Sequence, residues 1–332
     1  MRWFRYERVA DVEEAVAASR FDRNAHLLAG GTQLMDLMKL GVLAPDKLID
    51  INGLAPAHAG IELDDEGLHL GALVRMSEAA ERPEIIRDYP VIAQSLAMAA
   101  SPQLRNMASL AGNVLQRTRC NYFRDPGELA CNKRLPGSGC AALDGVNRKH
   151  AVLGVSSSCI ASYPGDFAQA LVALDARVTI VGTNGTRELP VEALHRSPGT
   201  TPHLENVLET GDVITRFTIP RAPFTRRSLY LKVRDRASYE FALVSAAVAL
   251  DLANGVVGAA RIALGGLSAK PWRAREAEAS LVGKPLTGAT ARAAADLAFV
   301  GTVTHSHNAF KPVLGRRTLV HALLSAAELE VS

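Results

Sequence analysis

The chain has no apolar run long enough to cross a bilayer. Its longest, roughly Phe241 to Leu250, is stopped by Asp251, well short of the ~20 residues that a spanning helix needs, and it predicts a buried strand. No signal-peptide pattern opens the sequence, because MRWFRYERVADVEEAV meets acidic residues before any apolar stretch. The expectation is a chain that folds in the cytoplasm, does not insert into a membrane, and reaches the periplasm only by co-export with a partner bearing a signal. Charge of one sign is also scarce. The 37 Lys and Arg against 34 Asp and Glu leave a net +3, spread along the chain, which argues against a nucleic-acid-binding protein.

Familiar cofactor signatures are missing too. No G-x-G-x-x-G follows a strand and no G-x-x-x-x-G-K-[ST] occurs, which argues against a Rossmann dinucleotide site and a P-loop. The nine histidines form no H-E-x-x-H or H-x-x-x-H, and no acid–base triad stands out. Cysteine is absent from most of the chain: Cys120, Cys131, Cys140 and Cys159 are the whole complement, and no two form C-x-x-C. What remains is a globular composition, 48% apolar and 21% charged over 332 residues, a length that suggests two or three folded units.

The pattern predicts a strand at Trp3 to Arg8, then a helix capped by Asp11 with Glu14 closing the box. HLLAG at 26–30 runs into Gly30-Gly31 and a helix over Gln33 to Leu40; KLIDI and GLHLGAL read as strands and Val91 to Ala100 as a buried helix. Between about Arg117 and Ser158 the periodicity disappears, and loops of such length inside a domain usually have a function. A helix near Asp166 to Ala176 follows, then a hairpin whose Asn184-Gly185 favours a type I′ turn, and the strand VITRFTIP. From Ser228 come two strands, a turn at Asn254-Gly255, a third strand through Leu264, and Ala/Leu-rich helices. A domain boundary is expected at 221–227.

AGGTQLMDLMKLG sets two glycines and a threonine ahead of a helix. Glycine lets backbone approach a ligand closely, and the first helical N–H groups favour an anion such as a pyrophosphate. The same pair also suits a plain strand-to-helix turn. SPQLRNMASLAGNVLQ, Ser101 to Gln116, offers Ser101, Asn106, Ser109 and Asn113 as polar groups and Gly112 as a gap; alternatively these cap helices and fill turns. Four thiolates within forty residues suit a Cys₄ shell, either zinc or one [4Fe–4S] cluster. Spacing does not choose between them. Arg117, Arg119, Arg124, Lys133 and Arg134 either offset the charge of such a cluster or form a solvated face.

AGGTQLMDLMK followed some seventy residues later by QLRNMASLAGN resembles the flavoprotein subunit of the xanthine dehydrogenase family of molybdenum hydroxylases. YPGDFAQAL, LETGDVITRFTIP, YLKVRDRASYEFALVS and ALGGLSAKPWRA extend the resemblance through nearly the whole chain. It implies an α+β protein with a vanillyl-alcohol-oxidase-type FAD-binding fold in two subdomains, 1–55 and 56–222, the second carrying an iron–sulfur loop at about 117–159. A smaller α+β domain of antiparallel sheet plus helices, 227–330, would resemble the carbon monoxide dehydrogenase flavoprotein C-terminal domain. By the same resemblance Ala29, Gly30, Gly31, Thr32, Gln33 and Leu34, with Leu28 beside them, would hold the FAD pyrophosphate, completed by Ser109, Gly112 and Asn113.

The resemblance further implies that Asp166 binds the adenosine or ribityl end of FAD, that Ile214 packs on the cofactor and that Lys232 lies near the isoalloxazine. The resemblance also makes Tyr239 a flavin neighbour; the residues alone allow Asp166 as a helix cap, Lys232 as a solvated strand residue and Tyr239 as packing. RTRCNYFRDPGELACNKRLPGSGCAAL is most similar to the cysteine-bearing loop of bacterial periplasmic aldehyde oxidoreductase, which implies a [4Fe–4S] cluster on Cys120, Cys131, Cys140 and Cys159. The implied setting is a heterotrimer in which a molybdenum-cofactor subunit oxidises the aldehyde, a [2Fe–2S] subunit relays electrons, and this chain's FAD passes them to an external acceptor. A self-sufficient flavoenzyme of the same fold, or a zinc-stabilised non-enzymatic scaffold, are the alternatives.

Overall fold

The computed structural model describes residues 1–22, 24–127 and 130–331, so Glu128 and Leu129 of the cysteine stretch lie outside the described residues. Three sheets follow one another along the chain. The first holds β1 (Arg5–Arg8), β2 (Ala25–Leu28) and β3 (Lys47–Asp50) in the order β1-β3-β2, all parallel. The helix α1 (Val12–Ser19) joins β1 to β2. Asp11 accepts from the Glu14 N–H at 2.8 Å, but the Glu14 carboxylate reaches back to the Ala10 N–H at 2.8 Å, one residue earlier than a standard capping box. Val12 and Ala15 of α1 bury against Ile49, Ile51 and Leu54.

The second sheet is antiparallel: β4 (Ile61–Leu63), β5 (Gly67–Gly71), β6 (Arg177–Gly182), β7 (Gly185–Pro190) and β8 (Val213–Pro220) lie in the order β4-β5-β8-β6-β7. The expected hairpin forms between β6 and β7, but with its turn at Thr183-Asn184, since Gly182 pairs with Gly185. Only Gly185 takes positive φ, +94°, so the expected type I′ turn, which needs positive φ at both central residues, is not the one used. Helices Pro90–Ala97 and Phe167–Ala173 cover this sheet through a core of Leu70, Val91, Leu96, Phe167, Leu171 and Phe217.

The third sheet, β9 (Ser228–Val233), β10 (Val244–Ala253), β11 (Val256–Gly265) and β12 (Trp272–Arg273), is antiparallel in the order β12-β11-β10-β9. Asn254 and Gly255 both have positive φ, 51° and 77°, the backbone that the tight β10–β11 turn demands. The unbroken apolar run of β10 has a direct cause. Its Ala246, Val248 and Leu250 meet the helices Arg275–Leu281, Gly288–Ala298 and Lys311–Ala327, while Ala247 and Ala249 join the core of the second sheet. A strand buried on both faces has no reason to alternate. The strand is nevertheless shifted from the apolar run: β10 starts at Val244, leaves Phe241 in a partly exposed loop, and continues past Leu250 to Ala253.

Candidate functional site

Two cavities with mixed polar and apolar walls meet at the start of α2 (Leu34–Lys39). The larger, about 480 Å³, runs between Leu27–Leu34, Ser109–Leu115 and Leu208–Ile214; the smaller, about 240 Å³, is reached past Thr32, Gln33 and Gly112, which line both. Such volumes are those of ligand sites. Of the residues singled out by sequence, Ala29, Gly30, Gly31, Thr32, Gln33, Leu34, Ser109, Gly112 and Ile214 line the larger cavity. Asn113 and Asp166 line the smaller one with Tyr239. Leu28 and Lys232 line neither; Leu28 pairs with Asp50 inside the first sheet.

The two glycines have different work. A Cβ on Gly30 would lie 1.9 Å from the Met107 carbonyl oxygen, so Gly30 is small to let the two ligand-lining segments touch, rather than to let a ligand in. Gly31 has φ +70°, the left-handed backbone that turns the chain into α2. Ser109 caps the helix Leu110–Val114 by accepting from the Gly112 N–H at 3.3 Å. The Asn113 amide oxygen is buried and has no hydrogen-bond partner among the described residues, an open acceptor beside the smaller cavity. The flavin dinucleotide implied by the sequence fits this set: the Leu34 and Asp36 amides at the start of α2, since those of Met35 and Leu37 already donate to Gly31 and Gln33, the unused Asn113 amide oxygen, and walls that mix apolar and polar groups.

Asp166 does not cap its helix. Its carboxylate instead accepts from Tyr230 at 2.6 Å and from the Lys232 ammonium at 2.7 Å, and the Lys232 side chain is only 1% exposed, which corrects both the capping and the solvated readings. Lys232 also donates to the Met98 carbonyl at 3.1 Å. Burial pushes the Asp166 carboxyl upward, and Lys232 and Tyr230 pull it back. Such a pair, once formed, is costly to break by removing one partner.

All four cysteines line a single small cavity with Tyr122, Phe123 and Lys133. Cys131 and Cys140 face each other across an isolated antiparallel bridge. Burial raises the Cys159 thiol and pushes that of Cys120 up to about 12; the His150 Nε2 lies 3.1 Å from the Cys120 Sγ. The cavity holds about 10 Å³, and among the described residues no three His, Cys, Asp or Glu groups are gathered to hold one metal ion. The basic residues of the loop are not a solvated face. Arg119 and Arg124 both pair with Asp36 of α2, Arg117 and Lys133 with Glu205, and Arg134 donates to the carbonyls of Tyr122, Phe123 and Asp125.

The cysteine loop and the glycine cradle are thereby one structure. The Gln33 amide accepts from the Arg117 N–H at 2.7 Å and donates to its carbonyl at 3.1 Å, as a strand neighbour would. Gln33, predicted as a cofactor contact, therefore spends its side chain on the loop. Asp36, Glu205 and His150 are contributors that the sequence reading missed. So is Asn52, whose amide donates to the Ala29 carbonyl at 3.1 Å and accepts from Arg75 at 3.0 Å. Nothing in local spacing marks them, since their partners lie 23 to 88 residues away.

A parallel three-stranded unit, a five-stranded antiparallel unit and a third sheet backed by helices, with a dinucleotide-sized cleft at the first two, define a flavoprotein class. The chain belongs to the family of FAD-binding subunits of molybdopterin dehydrogenases: the FAD binding domain in molybdopterin dehydrogenase matches residues 2–222 and the CO dehydrogenase flavoprotein C-terminal domain matches 229–328. It is 45% identical to the aldehyde oxidoreductase FAD-binding subunit of Escherichia coli K12, over 98% of this chain and 99% of that one. It is 25% identical to the glyceraldehyde dehydrogenase medium chain of Sulfolobus acidocaldarius, over 85% and 82%. Among solved structures, a carbon monoxide dehydrogenase from Hydrogenophaga pseudoflava superposes with a TM-score of 0.76 at 25% identity, covering 98% of this chain and 97% of that one. The chain is thus a subunit of a molybdenum-dependent oxidoreductase, with the α+β flavoprotein fold that the sequence implied.

Proposed function

We propose that this chain is the electron-transferring FAD subunit of a molybdenum-containing aldehyde oxidoreductase and that Cys120, Cys131, Cys140 and Cys159 hold a [4Fe–4S] cluster. The observation that carries the proposal is the joining of the glycine cradle to the four-cysteine cavity through Gln33 and Asp36. FAD, when bound, exchanges one or two electrons and so couples single-electron centres to an acceptor. The pyrophosphate would lie against Ala29 to Leu34 and the Ser109–Asn113 turn. Ile214 would pack at the far end of the larger cavity, and Asp166, held by Lys232, would stand at the end that shares the smaller one. Lys232 would act through Asp166 rather than by touching the cofactor.

A zinc ion needs all its sulfurs about 2.3 Å from one point, whereas a four-iron cube takes each thiolate on a different iron. Four cysteines that share a cavity without converging on a point suit the cube. The cavity, about 10 Å³, has room for about one water, and a cluster held there would spread the cysteine side chains. The division into units at 1–55, 56–222 and 227–330 is supported by the three sheets, whose cores share residues across those boundaries. The partners would be a molybdenum-cofactor subunit and a [2Fe–2S] subunit in a heterotrimer, with an external acceptor. Among the described residues no helix is long and apolar enough to cross a membrane, and the compartment would be set by a signal-bearing partner.

The test is an absorption spectrum with iron and acid-labile sulfide analysis, on the natural protein and on a Cys120→Ser, Cys131→Ser double variant. Flavin bands in both, with iron and sulfide lost only from the variant, is the expected result. A natural protein with flavin but neither iron nor sulfide after reconstitution would remove the cluster and leave the flavin assignment standing.

A further inference from the structure

A third cavity, about 450 Å³, adjoins the smaller flavin-side cavity through Arg119, Pro164, Glu240 and Phe241, and it touches the cysteine loop at Cys120 and His150. Its wall carries four cations, Arg119, Arg124, Arg148 and Lys149, against one carboxylate, Glu240. Two of these cations are spoken for: Arg148 forms a bidentate pair with Asp235 at 2.8 Å, and Lys149 reaches Glu240 at 3.3 Å. Arg119 and Arg124, by contrast, share the single carboxylate of Asp36, which leaves one positive charge uncompensated there.

The polar atoms of the wall are also incompletely used. Arg119 Nε, Arg124 Nη1 and His150 Nδ1 are buried and have no hydrogen-bond partner among the described residues, and His150 as a whole is 6% exposed. A buried donor without an acceptor costs about 1–3 kcal/mol, more when charged, so the two guanidinium N–H groups on Arg119 and Arg124 call for an acceptor that the chain does not supply. The Arg119 guanidinium is also stacked over the Phe241 ring at 4.9 Å, which fixes its plane beside the opening to the flavin-side cavity.

We propose that this cavity is a binding site for a small oxyanion, a molecule bearing a carboxylate or phosphate, gripped by Arg119 and Arg124 and approached past Arg148. The site goes beyond the flavin and cluster reading; it shares wall residues with the flavin-side cavity and Cys120 with the cysteine cavity, and opens toward the former. An anion there supplies the acceptor that the two arginines lack, and planar guanidinium groups suit carboxylate and phosphate geometry. The cavity has room for an aromatic or aliphatic body behind the acidic group.

The experiment is calorimetric titration of the intact complex at low ionic strength with inorganic phosphate and, separately, with benzoate. Flavin, iron and sulfide contents are measured on the same samples of natural protein, Arg124→Gln and Arg148→Gln. The expected result is saturable binding of one equivalent of at least one probe, weakened about tenfold or more in the cofactor-loaded fraction of Arg124→Gln and less in Arg148→Gln, with cofactor contents unchanged in Arg148→Gln. Absence of saturable binding of either probe to fully loaded natural protein overturns the site, and so does binding that neither substitution weakens. Full phosphate affinity in the cofactor-loaded fraction of Arg124→Gln also overturns it, because that arginine would then serve only the cofactor regions. Natural protein that binds phosphate stoichiometrically but holds no iron keeps the anion site and removes the cluster.

Discussion

At the scale of single residues, the glycine pair shows how one sequence feature can serve two physical needs. Gly31 is strained by any side chain through its φ of +70°, a cost of about 1–2 kcal/mol, but an added Cβ meets only Leu28 and Met35 side-chain atoms at 3.3 Å. Gly30 has the opposite profile, ordinary backbone but a Cβ that would fall 1.9 Å from the Met107 oxygen, and backbone cannot swing aside as a side-chain tip can. Gly30→Ala should therefore destabilise by about 3 kcal/mol and lose flavin, whereas Gly31→Ala should lose less of either. Urea midpoints and flavin content of the two variants decide it; equal losses would mean that the contact between segments is not what Gly30 provides. The sequence made the pair visible as a cradle, yet it could not say which glycine faces what, because Met107 is remote along the chain. Asp166 is a similar case: its position before a helix is that of a cap, and only the fold brings Tyr230 and Lys232 to its carboxylate.

At the scale of elements, the helix α2 is the piece on which the two cofactor regions depend. Its position was legible to within a residue at each end, as were β8, the existence of β10 and the Asn254-Gly255 turn, since each is set by local periodicity or turn chemistry. The tertiary role of Asp36 was not, because Arg119 and Arg124 lie 83 and 88 residues further on. The two-residue β12 and the three-residue β4 are too short to carry a period. Asp36→Asn should leave two adjacent guanidiniums without their shared counter-charge. The pairs are partly exposed, 27% and 21% on the arginine side, so the cost to stability is modest, about 1–2 kcal/mol after screening. Retention of cofactors should respond more strongly, with flavin and iron contents falling together in the purified variant. Flavin kept in full while iron is lost would show that α2 does not couple the regions.

At the scale of the whole molecule, the cysteine loop is held from three sides: α2 through Asp36, the stretch before β8 through Glu205, and the C-terminal helix through Lys311. The buried Lys311 ammonium donates to the carbonyls of Lys149, His150 and Gly266 at 3.1, 3.0 and 2.6 Å. Such enclosure leaves titratable groups buried at the seams, and these set how the molecule responds to acid. His195 is the clearest. Its Nε2 lies 3.0 Å from the Val114 carbonyl oxygen, its ring meets Tyr163 edge-on with centroids 4.8 Å apart, and burial holds its pKa down at about 4. As pH falls through ~6.5 the unfolded chain takes up a proton at this position that the folded chain refuses until about pH 4. The unfolded state thus binds more protons across that window, and stability falls with acidification by an amount on the order of 3 kcal/mol. Glu205 acts at lower pH in the same direction: Lys133 and Arg117 hold its carboxyl below the usual range, so the stability it contributes is complete above ~4.3 and is lost as pH falls through the folded value. His195→Gln keeps a donor for Val114 and removes the titration. Its urea midpoint should drop less between pH 7.5 and 5 than that of the natural protein, although it starts lower at pH 7.5. Parallel midpoint curves for the two proteins over that range would assign the acid sensitivity to other groups and leave His195 as a packing residue.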